Sequence, residues 1–302
     1  MKALFDGDII VFRCAFAAER QQWYLSVGGN PPETFAYKRE AVARLDELLP
    51  GVWSREEGKD YEIWAERYLE PVEHAYHNVN VLVEKALRAT ECTEFDAQFY
   101  LTGKGQTFRH LRATTRPYKG NRDPSHRPTY EDEVRRYIRS KYPTIVTEGI
   151  EADDALGIAQ TKIGPHDSVI VSLDKDLDQI VGMKYNFVNE ILYEITPELA
   201  WKKYCLQLLT GDATDNIPGL PKIGAKKAEK ILDGLDPSEW LEEVARQYAA
   251  KSGREDWFDY LREQADLVWI MKDEDDRELI PESFRSLGGG TFEGSELTLE
   301  VE

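Results

Sequence analysis

Cysteine is scarce in this chain of 302 residues: Cys14, Cys92 and Cys205 are an odd number with no CxxC spacing. That excludes a disulfide framework and speaks against a zinc site. The three read as reduced, buried apolar residues of a cytoplasmic protein. Long apolar runs are missing too, since none approaches the ~20 residues that span a bilayer. Met1 to Val11 is apolar but carries Asp6 and Asp8 and has no basic region before it, so it does not read as a signal peptide. Positive charge is in short supply: Lys and Arg number 38 against 56 Asp and Glu, a net charge of −18. A general DNA binder is usually basic, because Lys and Arg replace counterions on phosphate. The acidic balance is either a solvated surface or acids gathered where bound cations meet a substrate. Only their distribution along the chain separates the two.

What is present supports a substantial core. Hydrophobic residues make up 41%, with 7 Trp, 15 Tyr and 11 Phe. That excludes global disorder and suits one large domain or two modest ones. Residues 2–5 and 9–12 are apolar around Asp6-Gly7-Asp8, which predicts a strand, an acidic turn and a helix through about Glu19 or Arg20. Residues 28–34 form a break, 36–49 and 72–89 have helical apolar spacing, and Ala97 to Leu101 reads as a second buried strand. Beyond a basic stretch at 103–128, a helix is predicted at about 130–140, a strand at 144–147 and a helix at 151–163. The most strand-like segment, Ser168 to Leu173, follows, and then a pair of short strands at 185–188 and 191–195. From Pro197 on the pattern is helical, at 198–209, 225–233, 238–250 and 256–270, before an acidic, Gly-rich tail from Lys272 that ends in weak alternation. Strand–helix alternation predicts an α/β fold with a mostly parallel central sheet flanked by helices. The division expected is 1–196 for that core, 197–271 for a helical region and 272–302 for the tail.

Acids recur where a parallel sheet would converge them. Asp6 and Asp8 follow the first strand, and Glu151, Asp153 and Asp154 open a helix. Asp174, Asp176 and Asp178 follow the best strand, and Asp212 and Asp215 lie after a helix. In open α/β sheets ligands bind outside the carboxyl ends of the strands. Each group has a plain explanation as a helix-start or turn acid, but the set points to one cleft. Unpaired carboxylates cannot share a partly buried place without protonating. Hard cations remove the problem, and an acid-only donor set without His or Cys suits Mg²⁺ or Mn²⁺. Two such ions ~3.5–4 Å apart activate water and stabilise an in-line phosphoryl displacement. Asp8 and Asp178 read as outer-shell or surface acids.

Two basic segments complement the acids. Residues 103–128 hold Lys104, Arg109, His110, Arg112, Arg116, Lys119, Arg122, His126 and Arg127 against one acid, Asp123. Unless this is a solvated loop, it is a nucleic-acid strand path. Lys119 or Arg122 would then stabilise charge on a scissile phosphate, and Tyr118 would stack on an unpaired base. The Gly/Pro turn at 216–224, with Gly219 and Gly224, exposes backbone groups, and Lys222, Lys226, Lys227 and Lys230 crowd the turn and the helix after it. This is a second phosphate contact or a plain helix–turn–helix with surface lysines.

These stretches match a family in order. Phe5-Asp6-Gly7-Asp8, Lys104 to Arg109, Tyr118 to Arg122, Gly149 to Asp154, Ser172 to Leu177, and Gly211 to Gly219 running into Ile223-Gly224 cover about residues 2–270. The chain thereby resembles the 5′-nuclease (flap endonuclease-like) family, especially phage 5′–3′ exonucleases and the 5′-nuclease domain of bacterial DNA polymerase I. The resemblance implies a PIN-like α/β nuclease core with a basic arch or clamp at about 103–141, and at 197–271 a helix–three-turn–helix region that grips duplex DNA. It implies that Asp6, Glu151, Asp153, Asp154, Asp174, Asp176, Asp212 and Asp215 hold two or three Mg²⁺ or Mn²⁺ ions, with K⁺ at the 216–226 turn. Arg109, Tyr118, Lys119, Arg122, Gly219, Lys222, Gly224, Lys226, Lys227 and Lys230 would contact DNA, with Lys119, Arg122 and Asp174 in the chemistry.

The activity implied is 5′–3′ exonuclease or 5′ flap endonuclease action on DNA, with an RNA–DNA hybrid as a further substrate, by a cytoplasmic, phage-like replication or repair enzyme. A monomer without membrane contact is expected. One departure stands out: relatives carry an Asp just before the Lys-Gly-x-x-Phe-Arg stretch, where this chain has Thr102 or Gly103. Residues 20–70 match nothing. The rival readings are a haloacid-dehalogenase-like phosphatase with Asp6 as nucleophile, a PIN-like ribonuclease, and a non-catalytic DNA-binding relative.

Overall fold

The computed structural model describes residues 1–51, 60–123, 127–276 and 279–288. His126 and the alternation at the end of the tail lie outside them. The described residues divide into two compact units. One comprises stretches within Met1–Ile9, Lys85–His126 and Tyr142–Glu302; the other comprises Ile10–Glu84 and Arg127–Lys141. The 103–141 segment is thus shared between the units.

The first unit is built on a six-stranded sheet. Its strands are β1 (Lys2–Asp6), β5 (Ala97–Thr102), β6 (Thr144–Thr147), β7 (Ser168–Val171), β8 (Gly182–Asn186) and β9 (Ile191–Ile195). Their order is β6-β5-β1-β7-β8-β9. All neighbours are parallel except the β8–β9 hairpin at one edge. β1, β5 and β7 are short apolar runs, as strands covered on both faces must be. Phe5 stacks on Phe99 at 4.6 Å. On another part of the sheet Leu4, Tyr100 and Ile170 pack with Ala152 and Leu156 of α6 (Ala152–Ile163). β1 lies where the chain order reverses, between β5 and β7. This switch point is where an α/β sheet opens a binding crevice. Gly7 keeps the start of α1 (Gly7–Phe16) tight against β5, since a Cβ there would stand 2.5 Å from the Tyr100 carbonyl oxygen.

Four C-terminal helices complete this unit: α7 (Pro197–Thr210), α8 (Ala225–Leu232), α9 (Trp240–Lys251) and α10 (Trp257–Val268). Thr196 caps α7 by accepting the Leu199 N–H at 3.2 Å, and Pro197 occupies the first turn, where its missing N–H costs nothing. Their apolar faces share a core with Leu208, Val244, Tyr248 and Leu261. The mixed α/β architecture and the mostly parallel sheet are as expected from the sequence.

The second unit holds what the sequence reading missed. The first helix ends at Phe16, not near Arg20, and β2 (Glu19–Val27) begins at once. β2 pairs antiparallel with β3 (Glu33–Phe35) and β4 (Tyr61–Leu69) in the order β3-β2-β4. Leu25 packs on Ala41 and Leu45 of α2 (Lys38–Leu48). Along α3 (Val72–Ala89) and α5 (Glu131–Lys141), Tyr76 stacks on Tyr137 at 4.3 Å, and the Tyr137 hydroxyl donates to Asn80 at 2.8 Å.

Candidate active site

The first unit carries every acid of interest. Asp6 ends β1 and is 2% exposed. Its carboxylate accepts the Ser172 hydroxyl at 2.6 Å and the Ile9 N–H at 3.2 Å. Burial, opposed by the Ser172 bond and reinforced by the charge of Asp8, pushes its pKa up to about 7. Asp153, in the first turn of α6, is raised well above the usual range by burial and then by Asp6, Asp174 and Glu151. Asp174, beyond the end of β7, is raised by burial and by Asp176. Asp212 is pushed up to about 6 by burial, Asp176 and Asp215. Burial is the main cause in each case, and nearby like charges with few cations among them add to it.

A second set of acids is compensated. Arg109, in the short helix α4 (Phe108–Arg112), is 3% exposed. It forms a two-pronged pair with Asp154 at 2.6 and 2.8 Å and reaches Glu151 at 3.2 Å. Its Nε donates to the Leu267 carbonyl at 3.0 Å and its remaining donor to that of Trp269. Burial disfavours the Arg109 cation, but Asp154 outweighs it and holds the guanidinium firmly charged. Asp154 is wholly buried and also accepts the N–H groups of Glu151 and Met271 at 3.0 and 3.1 Å. Burial works to raise the Glu151 carboxyl, but Lys119 and Arg109 hold it below the ordinary range, helped by hydrogen bonds from Lys119 and Tyr118.

The basic loop lies on these acids. Lys119 donates to Glu151 and stands 3.6 Å from Asp215, while Arg122 donates to Asp215 at 2.5 Å. Lys119 takes φ +56°, a left-handed conformation uncommon outside glycine, and its N–H is tied to the Asp215 carbonyl at 2.9 Å. Asn121 donates to the Ala213 carbonyl and Asn216 to that of Pro117, at 2.7 and 2.9 Å, which stitches the 117–122 loop to the 212–217 loop.

Several sequence-based expectations need correction. Tyr118 is 6% exposed, and its hydroxyl lies 2.7 Å from a Glu151 oxygen and 2.8 Å from an Asp215 oxygen, with one proton to donate between them. It braces two acids and presents no face for a base. Arg109 is no DNA contact either, because its donors are spent inside the protein. Asp154, saturated by Arg109 and two amides, is a structural acid with no oxygen turned to an ion. Gly219 is buried, with its N–H on the Gln264 side chain at 3.1 Å and its carbonyl accepting Tyr260 at 2.6 Å, so its amide is not offered to phosphate. Its φ of +59° and a Cβ position only 2.2 Å from the Gly211 nitrogen explain the glycine instead. Gly224 is exposed at the start of α8, and Lys222, Lys226, Lys227 and Lys230 are exposed as well.

Other participants went unread. Asp8, read as an outer-shell or surface acid, accepts the Thr102 N–H at 3.0 Å and adds its charge to Asp6. Thr102, where an Asp was expected, accepts the Ala152 N–H at 2.9 Å and so caps the start of α6. Lys184 is buried and grips the Asp174 carbonyl and the Asp178 carboxylate, the latter at 2.7 Å. Lys203 and Gln207 of α7 hold Asp176 at 3.1 and 2.7 Å. The strand was expected at 185–188 and lies at Gly182–Asn186, so Lys184 fell outside it; the helix after 197 was legible, but nothing local marks which of its polar residues turn inward.

The donor set is all oxygen, and its least compensated members are Asp6, Asp153, Asp174 and Asp212. In chemistry they fit hard divalent ions. Among the described residues no three His, Cys, Asp or Glu side chains are gathered into a group ready to hold one ion. Lys119 and Arg122 occupy Glu151 and Asp215.

The fold is that of a phage 5′-exonuclease. A structure titled "Divalent metal ions (zinc) bound to T5 5′-exonuclease" superposes with a TM-score of 0.54 at 16% identity, covering 88% of each chain. A T5 flap endonuclease solved as a pseudo-enzyme-product complex with DNA and metal ions gives 0.51 at 16% over 88% of each. In sequence the chain is 33% identical over 148 residues to DNA polymerase I of Rhizobium leguminosarum, which covers 43% of this chain and 14% of that relative. It is 40% identical over 101 residues to a 5′-3′ exonuclease of Buchnera aphidicola, covering 30% of this chain and 35% of the relative. The matched stretches therefore span about a third or less of these relatives' own length. No family model matches the chain. The relatives are nonetheless of the kind that the sequence resemblance named.

Proposed function

We propose that this chain is a divalent-metal-dependent 5′–3′ exonuclease and 5′ flap endonuclease that hydrolyses DNA phosphodiesters. One observation carries the reading: like-charged, pKa-raised carboxylates at the carboxyl ends of β1 and β7 lie in the same unit as Lys119 and Arg122. Polymerase I and 5′-3′ exonuclease relatives, and the T5 structures with metals and DNA, support it.

In this reading Asp6, Asp153, Asp174, Asp176 and Asp212 hold two or three Mg²⁺ or Mn²⁺ ions, with Glu151 and Asp215 joining when Lys119 and Arg122 leave them. When bound, the ions supply Lewis acidity and a nucleophilic water. The chain's own contribution is positional. Lys119 and Arg122 exchange carboxylate for scissile phosphate and stabilise its added negative charge. Tyr118 and Arg109 keep Glu151 and Asp215 in place during that exchange. Gly224 and Lys222, Lys226, Lys227 and Lys230 contact the duplex backbone as a helix–turn–helix grip. In the 216–226 turn the Lys222 carbonyl accepts the Lys227 ammonium at 3.0 Å and the Gly219 carbonyl accepts Tyr260, so a K⁺ there would share those oxygens with protein donors. The protein acts as a monomer in a bacterial cytoplasm, and an RNA–DNA hybrid is a second substrate. Among the described residues no helix is long and apolar enough to cross a membrane.

The test is cleavage of a 5′-labelled flap and a blunt duplex with Mg²⁺, with Mn²⁺ and with EDTA. Metal-dependent release of short 5′ products is expected. Intact DNA binding without cleavage under either metal would overturn the catalytic reading.

A further inference from the structure

The first unit contains a cavity of about 270 Å³ that none of the clustered acids lines. It is at the compact end of ligand pockets, which run ~300–1,000 Å³. Phe108, Ile150, Trp269, Met271 and Leu279 supply an apolar wall. Arg112, Glu148, Asp266 and Asp276 supply the polar groups. Most of that charge is spent. Arg112 faces Asp266 at 3.7 Å, and Asp276 accepts the Trp269 ring N–H and the Lys272 N–H at 3.1 and 3.0 Å. Lys272 already covers one face of Trp269, with its ammonium 3.1 Å from the ring centroid. Glu148 differs: it is exposed, and among the described residues it has neither hydrogen bond nor ion pair.

A single unpaired carboxylate beside an aromatic and aliphatic wall selects one ligand chemistry. We propose that this cavity is a binding site for a compact organic cation, an amine carried on a flat apolar body. The body lies against Trp269, Ile150 and Leu279, and the ammonium pairs with Glu148 and draws on the indole face. An anion would meet three acids and an arginine already engaged. A wholly apolar ligand would make no use of the Glu148 carboxylate.

The cavity wall is also built into the support of the acid site. The Trp269 carbonyl accepts Arg109, the Met271 N–H donates to Asp154, and the Phe108 N–H donates to the Gly149 carbonyl at 2.8 Å. The site is thus separate from the metal-binding acids yet backed by the same rigid node. Its existence does not depend on the nuclease reading, and the test uses binding, not cleavage.

Tryptamine is the probe, titrated into the full chain in metal-free buffer and followed by calorimetry and ligand-observed NMR. One saturable site is expected. Glu148→Gln should weaken it about threefold, as for an exposed ion pair, and Leu279→Ala about tenfold through lost apolar contact. Asp174→Ala should leave affinity unchanged. Indole, which lacks the amine, should bind as weakly to the wild type as to Glu148→Gln. Glu148 is exposed and without a partner, so Glu148→Gln keeps the test readable even if Leu279→Ala disturbs the packing around it. Absence of saturable binding would overturn the proposal. So would a site lost in Asp174→Ala and indifferent to Glu148→Gln, because tryptamine would then be reporting the acid cluster.

Discussion

Two groups of acids within one unit have been treated in opposite ways. Glu151 and Asp154 are buried and neutralised by Arg109, with Lys119 and Tyr118 on Glu151. Asp6 is as buried, and Asp153 and Asp174 are partly so, yet all three have neighbouring acids as their main charged company. The first arrangement resembles what a protein does to stabilise itself. The second raises the energy of the folded chain and makes sense only if something else supplies positive charge. Acidity alone therefore does not mark a functional residue; acidity without a protein cation does.

The comparison breaks most visibly at Asp174. Asp174→Ala should lower cleavage on the order of 10³-fold or more, several kcal/mol of lost charge stabilisation. Stability should stay level or rise, because a repelling charge is removed while the Lys184 bond to the residue's backbone remains. Wild-type cleavage in a flap assay would sink the metal assignment.

Arg109→Met tests the other side. It leaves Asp154 charged, buried and without its cation, which costs about 3–5 kcal/mol. The urea midpoint should fall accordingly. If Arg109 served the DNA path instead, stability would hold and DNA affinity would drop.

A pH titration sharpens the contrast. Asp6 has its folded pKa raised from 3.8 to about 7. Below the unfolded value both states are protonated and no cost arises. As pH rises from 4 to 7 the unfolded chain ionises this acid while the folded chain keeps it protonated, so stability of the metal-free chain is lost progressively. The cost is up to about 4 kcal/mol from the shift. Asp6→Asn should make that slope shallower between pH 4.5 and 7.5, measured by denaturation in chelator, with Asp153, Asp174 and Asp212 leaving a remainder. An equal slope in both proteins would place the charge cost elsewhere.

Much of this was legible beforehand, and the limits are physical. β1, β5 and β7 announced themselves because strands buried on both faces are short apolar runs, and β1 and β7 run into acids at their carboxyl ends. The β3-β2-β4 sheet was missed. Its alternation, Trp23, Leu25 and Val27 against Tyr61 and Ile63, is split between strands far apart in sequence, and polar residues such as Glu19, Arg20, Gln21 and Gln22 dilute it. At the site, residue type was read correctly and burial was not. Arg109 and Tyr118 looked like strand-path residues because a basic loop is usually solvated. The acids that pull Arg109 inward, Glu151 and Asp154, are 42 and 45 residues away, where no local pattern reaches. Thr102 was legible as a departure, but the Asp8 carboxylate resting on its amide was not.

The gentlest break concerns the lysines of α8, which belong to neither group of acids. Lys226 and Lys227 are exposed at the helix start, and Lys227 makes only a 3.0 Å bond to the Lys222 carbonyl. Replacing both with Ala removes no core contact and adds good helix formers, so the fold should be untouched. If each meets one phosphate, the double variant should bind duplex DNA more weakly, and the dependence of log affinity on log salt should flatten by about 1–2, since each neutralised phosphate contributes ~0.9. Single-turnover cleavage at saturating DNA should be nearly unchanged, because these lysines are a duplex grip apart from the acids that carry the chemistry. Fluorescence anisotropy across a salt series decides it. An unchanged slope would return the segment to an ordinary solvated helix, and the duplex grip would then have to be sought on another surface of the chain.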